Sequence, residues 1–70
     1  FWKSYLITEY PQTCHFPLEF NSVPNVLVTP VYGGTNLDFN VYVDTATKKS
    51  VKVFNKNKGW NVILAIGYAK

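Results

Sequence analysis

Six side chains of this 70-residue chain offer acid, base or nucleophile chemistry near neutral pH: the carboxylates Glu9, Glu19, Asp38 and Asp44, the thiol of Cys14 and the imidazole of His15. Hydrolysis of a glycosidic bond needs two carboxyl groups about 5 to 9.5 Å apart. Asp38 and Asp44 fall on one face of a predicted strand, but six positions at ~3.3 Å each separate them by roughly 20 Å. Cys14 and His15 are chain neighbours, so on a strand they point to opposite faces and cannot form a nucleophile and base pair. With one cysteine and one histidine, neither an intramolecular disulfide nor a Cys-rich zinc site can form. Two readings of the pair stay open. Cys14 is a buried thiol and His15 a surface or turn residue, or one of them meets its own copies on a symmetry axis and holds an ion. Gly33-Gly34 reads as a turn and not a phosphate loop, because no helix follows it. The expectation is a protein that is not an enzyme and carries no cofactor and no metal.

What remains is recognition chemistry. Sugar sites join an aromatic ring, which covers the apolar face of a pyranose, to amides, carboxylates or cations that bond paired hydroxyls. Several asparagines lie in or beside predicted turns and next to an aromatic: Asn36 after Tyr32, Asn40 before Tyr42, and Asn57 before Trp60. The candidate glycan-binding residues are therefore Tyr32, Asn36, Asp38, Asn40, Tyr42, Asn57, Lys58 and Trp60. Trp60 is expected to stack, Asn36, Asp38 and Asn57 to bond hydroxyls, and Lys58 to meet acidic groups. Equally, Asn suits turns and Tyr suits strands without any ligand.

The chain has formal net charge +3, every cation being lysine and none arginine. Lys48, Lys49, Lys52, Lys56 and Lys58 gather in one stretch. Without arginine to read or stack on bases, this favours a solvated hairpin with edge-protecting lysines over a nucleic-acid site. An acidic glycan would suit the same cluster. No apolar run reaches membrane-spanning length, so no membrane insertion is expected.

The elements that must position these residues are strands. Val, Ile, Thr, Tyr, Phe and Trp fill thirty of the seventy positions. Strands are predicted at Trp2 to Glu9, Gln12 to Phe16, Asn25 to Tyr32, Leu37 to Asp44, Ser50 to Asn55 and Trp60 to Ala69. Pro17 to Pro24 reads as a connection with Phe20 and Val23 tucked beneath it, and Pro30 assigns its strand to an edge or a bulge. Val26 and Val28 share one face of their strand, Leu27, Thr29 and Val31 the other. In Leu37 to Asp44, Leu37, Phe39, Val41 and Val43 face inward and Asp38, Asn40, Tyr42 and Asp44 outward. The last strand is apolar or small on both faces, Trp60, Val62, Leu64, Ile66 and Tyr68 against Ile63, Ala65, Gly67 and Ala69, the mark of a strand covered on both sides. The sum is an all-β fold, a small antiparallel β-sandwich of five to six strands in one domain spanning residues 1–70.

Burial and entropy nearly cancel in such a chain. Its mass implies about 7,000 Å² buried on folding, roughly 4,300 Å² of it apolar, which contributes about 107 kcal/mol. Ordering the chain costs about 105 kcal/mol. With disulfide and zinc excluded, oligomerisation is the staple that remains, and the two-faced last strand is where copies are expected to meet. A chain opening on Phe1 with no Met reads as the end of a longer protein.

Phe16-Pro17-Leu18-Glu19-Phe20, then Val23-Pro24-Asn25-Val26, and finally Leu64-Ala65-Ile66-Gly67-Tyr68 resemble the C-terminal domain of bacteriophage tail fibre proteins, itself similar to the H-type lectins. The shared pattern is a Phe-Pro-x-x-Phe element, a Pro-x-Val strand opening, an aromatic-rich middle strand and a closing Trp-x-Ala-Ile-Gly. The match runs from Phe16 to Tyr68, in its middle by general character alone, and the family's closing Trp falls on Ile63. The resemblance implies an antiparallel sandwich that assembles as a homotrimer at the distal end of an extracellular virion fibre. There, loops at the tip or grooves between subunits would touch host cell-surface polysaccharide or protein. A structural domain that trimerises or caps the fibre, or a free carbohydrate-binding lectin, are the alternatives.

Overall fold

The computed structural model describes residues 1–31 and 41–70. Six strands succeed one another: β1 (Trp2–Ile7), β2 (Gln12–His15), β3 (Asn25–Pro30), β4 (Val41–Ala46), β5 (Ser50–Asn55) and β6 (Gly59–Ile66), with no helix among the described residues. They form two antiparallel three-stranded sheets, β1-β6-β3 and β2-β5-β4. Each predicted strand has a counterpart, and the whole is consistent with a small β-sandwich. The accessible surface of 4605 Å² is close to the ~4,500 Å² of a compact monomer of this mass.

One core lies between the sheets. Ile7 and Ile63 from one and Cys14, Val51 and Val53 from the other are buried together, and Val26, Val28, Val41 and Val43 pack against them. The alternation read from the sequence holds here: Val26 and Val28 are half-buried while Leu27 and Thr29 are exposed, and Val41 and Val43 turn in while Tyr42 and Asp44 turn out. Pro30 ends β3, an outer strand of its sheet, where a missing N–H breaks no ladder on the open side. A bulge between Val43 and Ala46 bends β4.

The two central strands are consecutive in the chain but belong to different sheets, so the turn between β5 and β6 carries the chain from one layer to the other. Beneath it lies a buried polar pair. The Asn55 amide nitrogen donates to the Asn61 Oδ1 at 2.9 Å and to the Lys58 carbonyl at 3.4 Å, and the Asn55 Oδ1 accepts the Asn57 N–H at 3.0 Å. Asn61 in turn donates to the Gly59 carbonyl at 3.1 Å. Both side chains are fully buried, a position that polar groups hold only when hydrogen-bonded.

Two findings differ from the sequence reading. The last strand stops at Ile66, because the chain then bends to run beside residues 19–21, with Ala69 bridged to Phe20 and the Asn21 N–H on the Tyr68 carbonyl. Val23 is exposed and Pro24 is buried in its place. The outward face of β6, where copies are expected to meet, is in agreement with that reading left uncovered within the chain: Trp60 and Ile66 remain more than half exposed. The predicted strand residues 37–40 lie outside the described residues.

Phe16, Phe20 and Phe1 close one end of the core, with ring centroids 5.5 to 6.0 Å apart. Gly67 lies against this group. A Cβ there would stand 3.1 Å from Phe20 Cδ1 and 3.3 Å from the Pro24 Cβ. Phe20 is 2% exposed and hemmed by the other two rings, so it has little room to yield. Gly67→Ala is expected to cost about 1 kcal/mol by overpacking and to lower the melting temperature by roughly 4 to 8 °C in a thermal scan.

Candidate functional site

The outer face of each sheet carries one of the predicted aromatics. Tyr42 projects from β4 on the outer face of β2-β5-β4, whereas Trp60 projects from β6 on the outer face of β1-β6-β3, so the two stand on opposite sides of the molecule. Asn57 and Lys58 lie in the turn that joins the layers, and the Asn57 N–H is held by Asn55. Tyr32, Asn36, Asp38 and Asn40 lie outside the described residues.

Tyr42 is one member of an aromatic strip. It pairs directly across the ladder with Phe54, the two rings lying 4.8 Å apart and within 5° of parallel. Tyr10 meets Phe54 edge-on at 5.3 Å, and Lys56 Nζ lies 5.9 Å from the Tyr10 ring centre. A hydrogen bond with Tyr10 pushes the Tyr42 phenol above its ordinary value, and Asp44 adds in the same direction. Gln12 holds Tyr10 in place by organising the link between β1 and β2. Its Oε1 accepts the Thr8 N–H at 2.7 Å and the Glu9 N–H at 3.2 Å, while its Nε2 donates to the Leu6 carbonyl at 2.9 Å. The peptide bond between Tyr10 and Pro11 is cis.

The opposite face is apolar. Trp2, Leu64 and Leu27 form one row across β1, β6 and β3, Ser4, Val62 and Thr29 a second, and Leu6 pairs with Trp60 in a third. Val31 continues the third row through its N–H to the Trp60 carbonyl at 3.0 Å. Trp2, Leu6, Leu27, Val31, Trp60 and Ile66 are all exposed, and no ionisable side chain stands among these rows. About six residues along each strand and three strands across give on the order of 300 Å² of flat area. The largest apolar patch of a typical monomer is of about that size and is often functional.

Other chemistry is sparse. Cys14 is buried, which pushes its thiol above the ordinary value, partly offset by a hydrogen bond from the Gln12 side chain. His15 is exposed on the other side of its strand, its carbonyl taking the Tyr5 hydroxyl at 2.7 Å. Among the described residues no three His, Cys, Asp or Glu side chains converge, and no concave pocket is present. No described helix is long and apolar enough to cross a membrane. Glu19 is flanked by Lys70 at 3.5 Å and Lys49 at 4.0 Å, exposed pairs of small energetic weight.

Lys58 adopts the left-handed conformation, φ 60°, which costs a side-chain-bearing residue about 1 kcal/mol or more. Lys58→Gly is expected to relieve this, raising stability by about 0.5 to 1 kcal/mol and the melting temperature by roughly 2 to 8 °C. An unchanged or lower melting temperature would mean that the lysine side chain makes up for its strained backbone.

Sequence reasoning did not find the strip as a unit. Tyr42 was singled out, but Tyr10 and Phe54 were not, and only strand register brings the three together. A signal existed in the outward parity of Lys52 and Phe54 on β5. Compared with protein-family models, curated proteins and solved structures, the chain matches none of them.

Proposed function

We propose that this chain is a non-enzymatic attachment domain, the receptor-binding tip of a phage or phage-like tail fibre. Three copies pack through the outer faces of their β1-β6-β3 sheets, and the β2-β5-β4 faces are left to a glycan or protein of the host surface. The observation that carries the reading is the uncharged apolar face of Trp2, Leu6, Leu27, Val31, Trp60 and Ile66. On a chain of net charge +3, a face without lysines is the one on which copies approach with least repulsion. The threefold stoichiometry, the extracellular virion location and the host receptor come from the resemblance of the Phe16–Phe20 and Leu64–Tyr68 motifs. Three weak sites on one rigid assembly raise avidity without new contacts.

The same apolar face would serve a domain that only locks the fibre end, so the test has two arms. Light scattering at micromolar concentration is expected to give a trimer, and a glycan array probed with that trimer is expected to retain surface polysaccharides. A stable monomer overturns the assembly. A trimer that retains no glycan and binds no host cells leaves the locking role in place of attachment.

A further inference from the structure

We propose that the strip Tyr10–Phe54–Tyr42, with Lys52 and Lys56, is a binding site for carboxylate-bearing polysaccharide. The inference rests on the attachment reading above and deepens it by naming the site and the ligand class.

The geometry of the rings decides what they can bind. Tyr42 and Phe54 are direct cross-strand partners, and their 4.8 Å centroid separation equals the ~4.7 to 4.9 Å spacing of neighbouring strands. The stack therefore runs across the sheet, and the rings stand upright with their edges outward. Phe54 has one face against Tyr42, and the Tyr10 ring meets it at 85° while hydrogen-bonded to Tyr42. The rings thus do not form the open row of π-faces on which successive nucleic-acid bases stack. What they present is edges, the positive side of the aromatic quadrupole, together with the hydroxyls of Tyr10 and Tyr42.

Charge adds to this. Lys52 and Lys56 lie two residues before and after Phe54, one on the same face of β5 and the other just past its end. Lys56 leans over Tyr10. Neither lysine has a salt bridge among the described residues, unlike Lys49 and Lys70, which share Glu19. Asp44 shares the sheet face two residues beyond Tyr42, its Oδ2 accepting the Thr45 hydroxyl at 3.1 Å, and Glu9 precedes Tyr10 in the chain. The site is thus a ridge of ring edges and hydroxyls with an ammonium beside Phe54 in each direction along the strand, neither in a salt bridge among the described residues. Carboxylates spaced along a polymer complement it, and the sugar hydroxyls between them meet the phenols and Asp44.

The test uses the full chain on an array that carries polygalacturonate, its methyl ester, alginate, colominic acid, neutral polysaccharides and an oligo-dT strand. Retention is expected on carboxylated polymers and not on the methyl ester. Lys56→Ala and Lys52→Ala are each expected to weaken it tenfold or more, and Tyr42→Phe, which keeps the stack, severalfold. Lys3→Ala, which removes the same charge from the other sheet, is expected to change it less than twofold. Equal retention of the ester, equal loss with Lys3→Ala, or tighter retention of oligo-dT overturns the proposal. Retention of neutral polysaccharides alone overturns this site and leaves the attachment reading standing. No retention of any polymer overturns the site, and without host-cell binding the attachment reading falls with it.

Discussion

An Asn55→Ala chain is expected to melt roughly 12 to 24 °C below the parent, a loss of about 3 kcal/mol. Asn55 ties the central strands of both sheets to the turn between them, bonding Asn61, the Lys58 carbonyl and the Asn57 N–H. Removing its amide takes from the buried Asn61 Oδ1 its 2.9 Å bond and from two part-buried backbone groups theirs, and the desolvation penalty of the buried oxygen, more than the bonds themselves, sets the cost. A chain of this length has only about 3.5 to 10 kcal/mol of stability in all. Asn61→Ala is expected to cost about 2 kcal/mol, since it loses the bonds to Asn55 and Gly59. The double variant should then fall short of the sum by about 1 kcal/mol, because the shared 2.9 Å bond is lost once. Strict additivity in a thermal or denaturant melt would show that the two amides do not act as a pair.

The second large effect concerns assembly. Leu27→Lys is expected to weaken self-association at least a hundredfold, about 2.7 kcal/mol, giving a monomer by light scattering where the parent is expected to give the proposed trimer. Leu27 is 61% exposed and lies in the row with Leu64 and Trp2. A lysine there costs the single chain little, because an exposed position tolerates polar change within about 0.5 kcal/mol. In the assembly it would bury an ammonium among apolar groups, a far larger penalty. The dependence of melting temperature on concentration should vanish in the variant. Leu18→Lys, exposed outside the apolar face, should leave association unchanged. An unaltered Leu27→Lys trimer would move the interface elsewhere.

The strands and the facing of their residues were readable from alternation alone. Val41 and Val43 turned inward and Tyr42 outward as expected, Leu27 lay on the face opposite Val26 and Val28, and Cys14 and His15 parted to opposite sides. Alternation is local and of period two, so it records which residues share a face but not which strand lies beside which. For that reason β5 and β6 gave no sign of being the centres of two sheets, and Tyr10, Phe54 and Tyr42 gave no sign of meeting. Asn55 and Asn61 were hidden by residue type. Asparagine beside a turn reads as a turn former, although Asn55 shares inward parity with Val51 and Val53, and Asn61 interrupts an apolar strand. For β6 the pattern spoke of chemistry and of cover, with copies expected to meet on the face that one chain is too small to cover. It identified two apolar faces, one of which this chain buries and one of which it leaves open.

The position of β5 and β6 at the centres of the two layers has a further consequence for how the chain is made. During synthesis β1 to β4 emerge first, yet none of them is a hydrogen-bonded neighbour of another within a sheet: β1 and β3 wait for β6, and β2 and β4 for β5. Domains generally fold as soon as a stable unit has left the ribosome, but here no partial sheet is available until Ser50–Asn55 emerges, and no layered structure until Gly59–Ile66 follows. The nascent domain therefore holds β1 to β4 without sheet partners until β5 and β6 emerge. It then gains both sheets almost at once, organised around the two central strands β5 and β6.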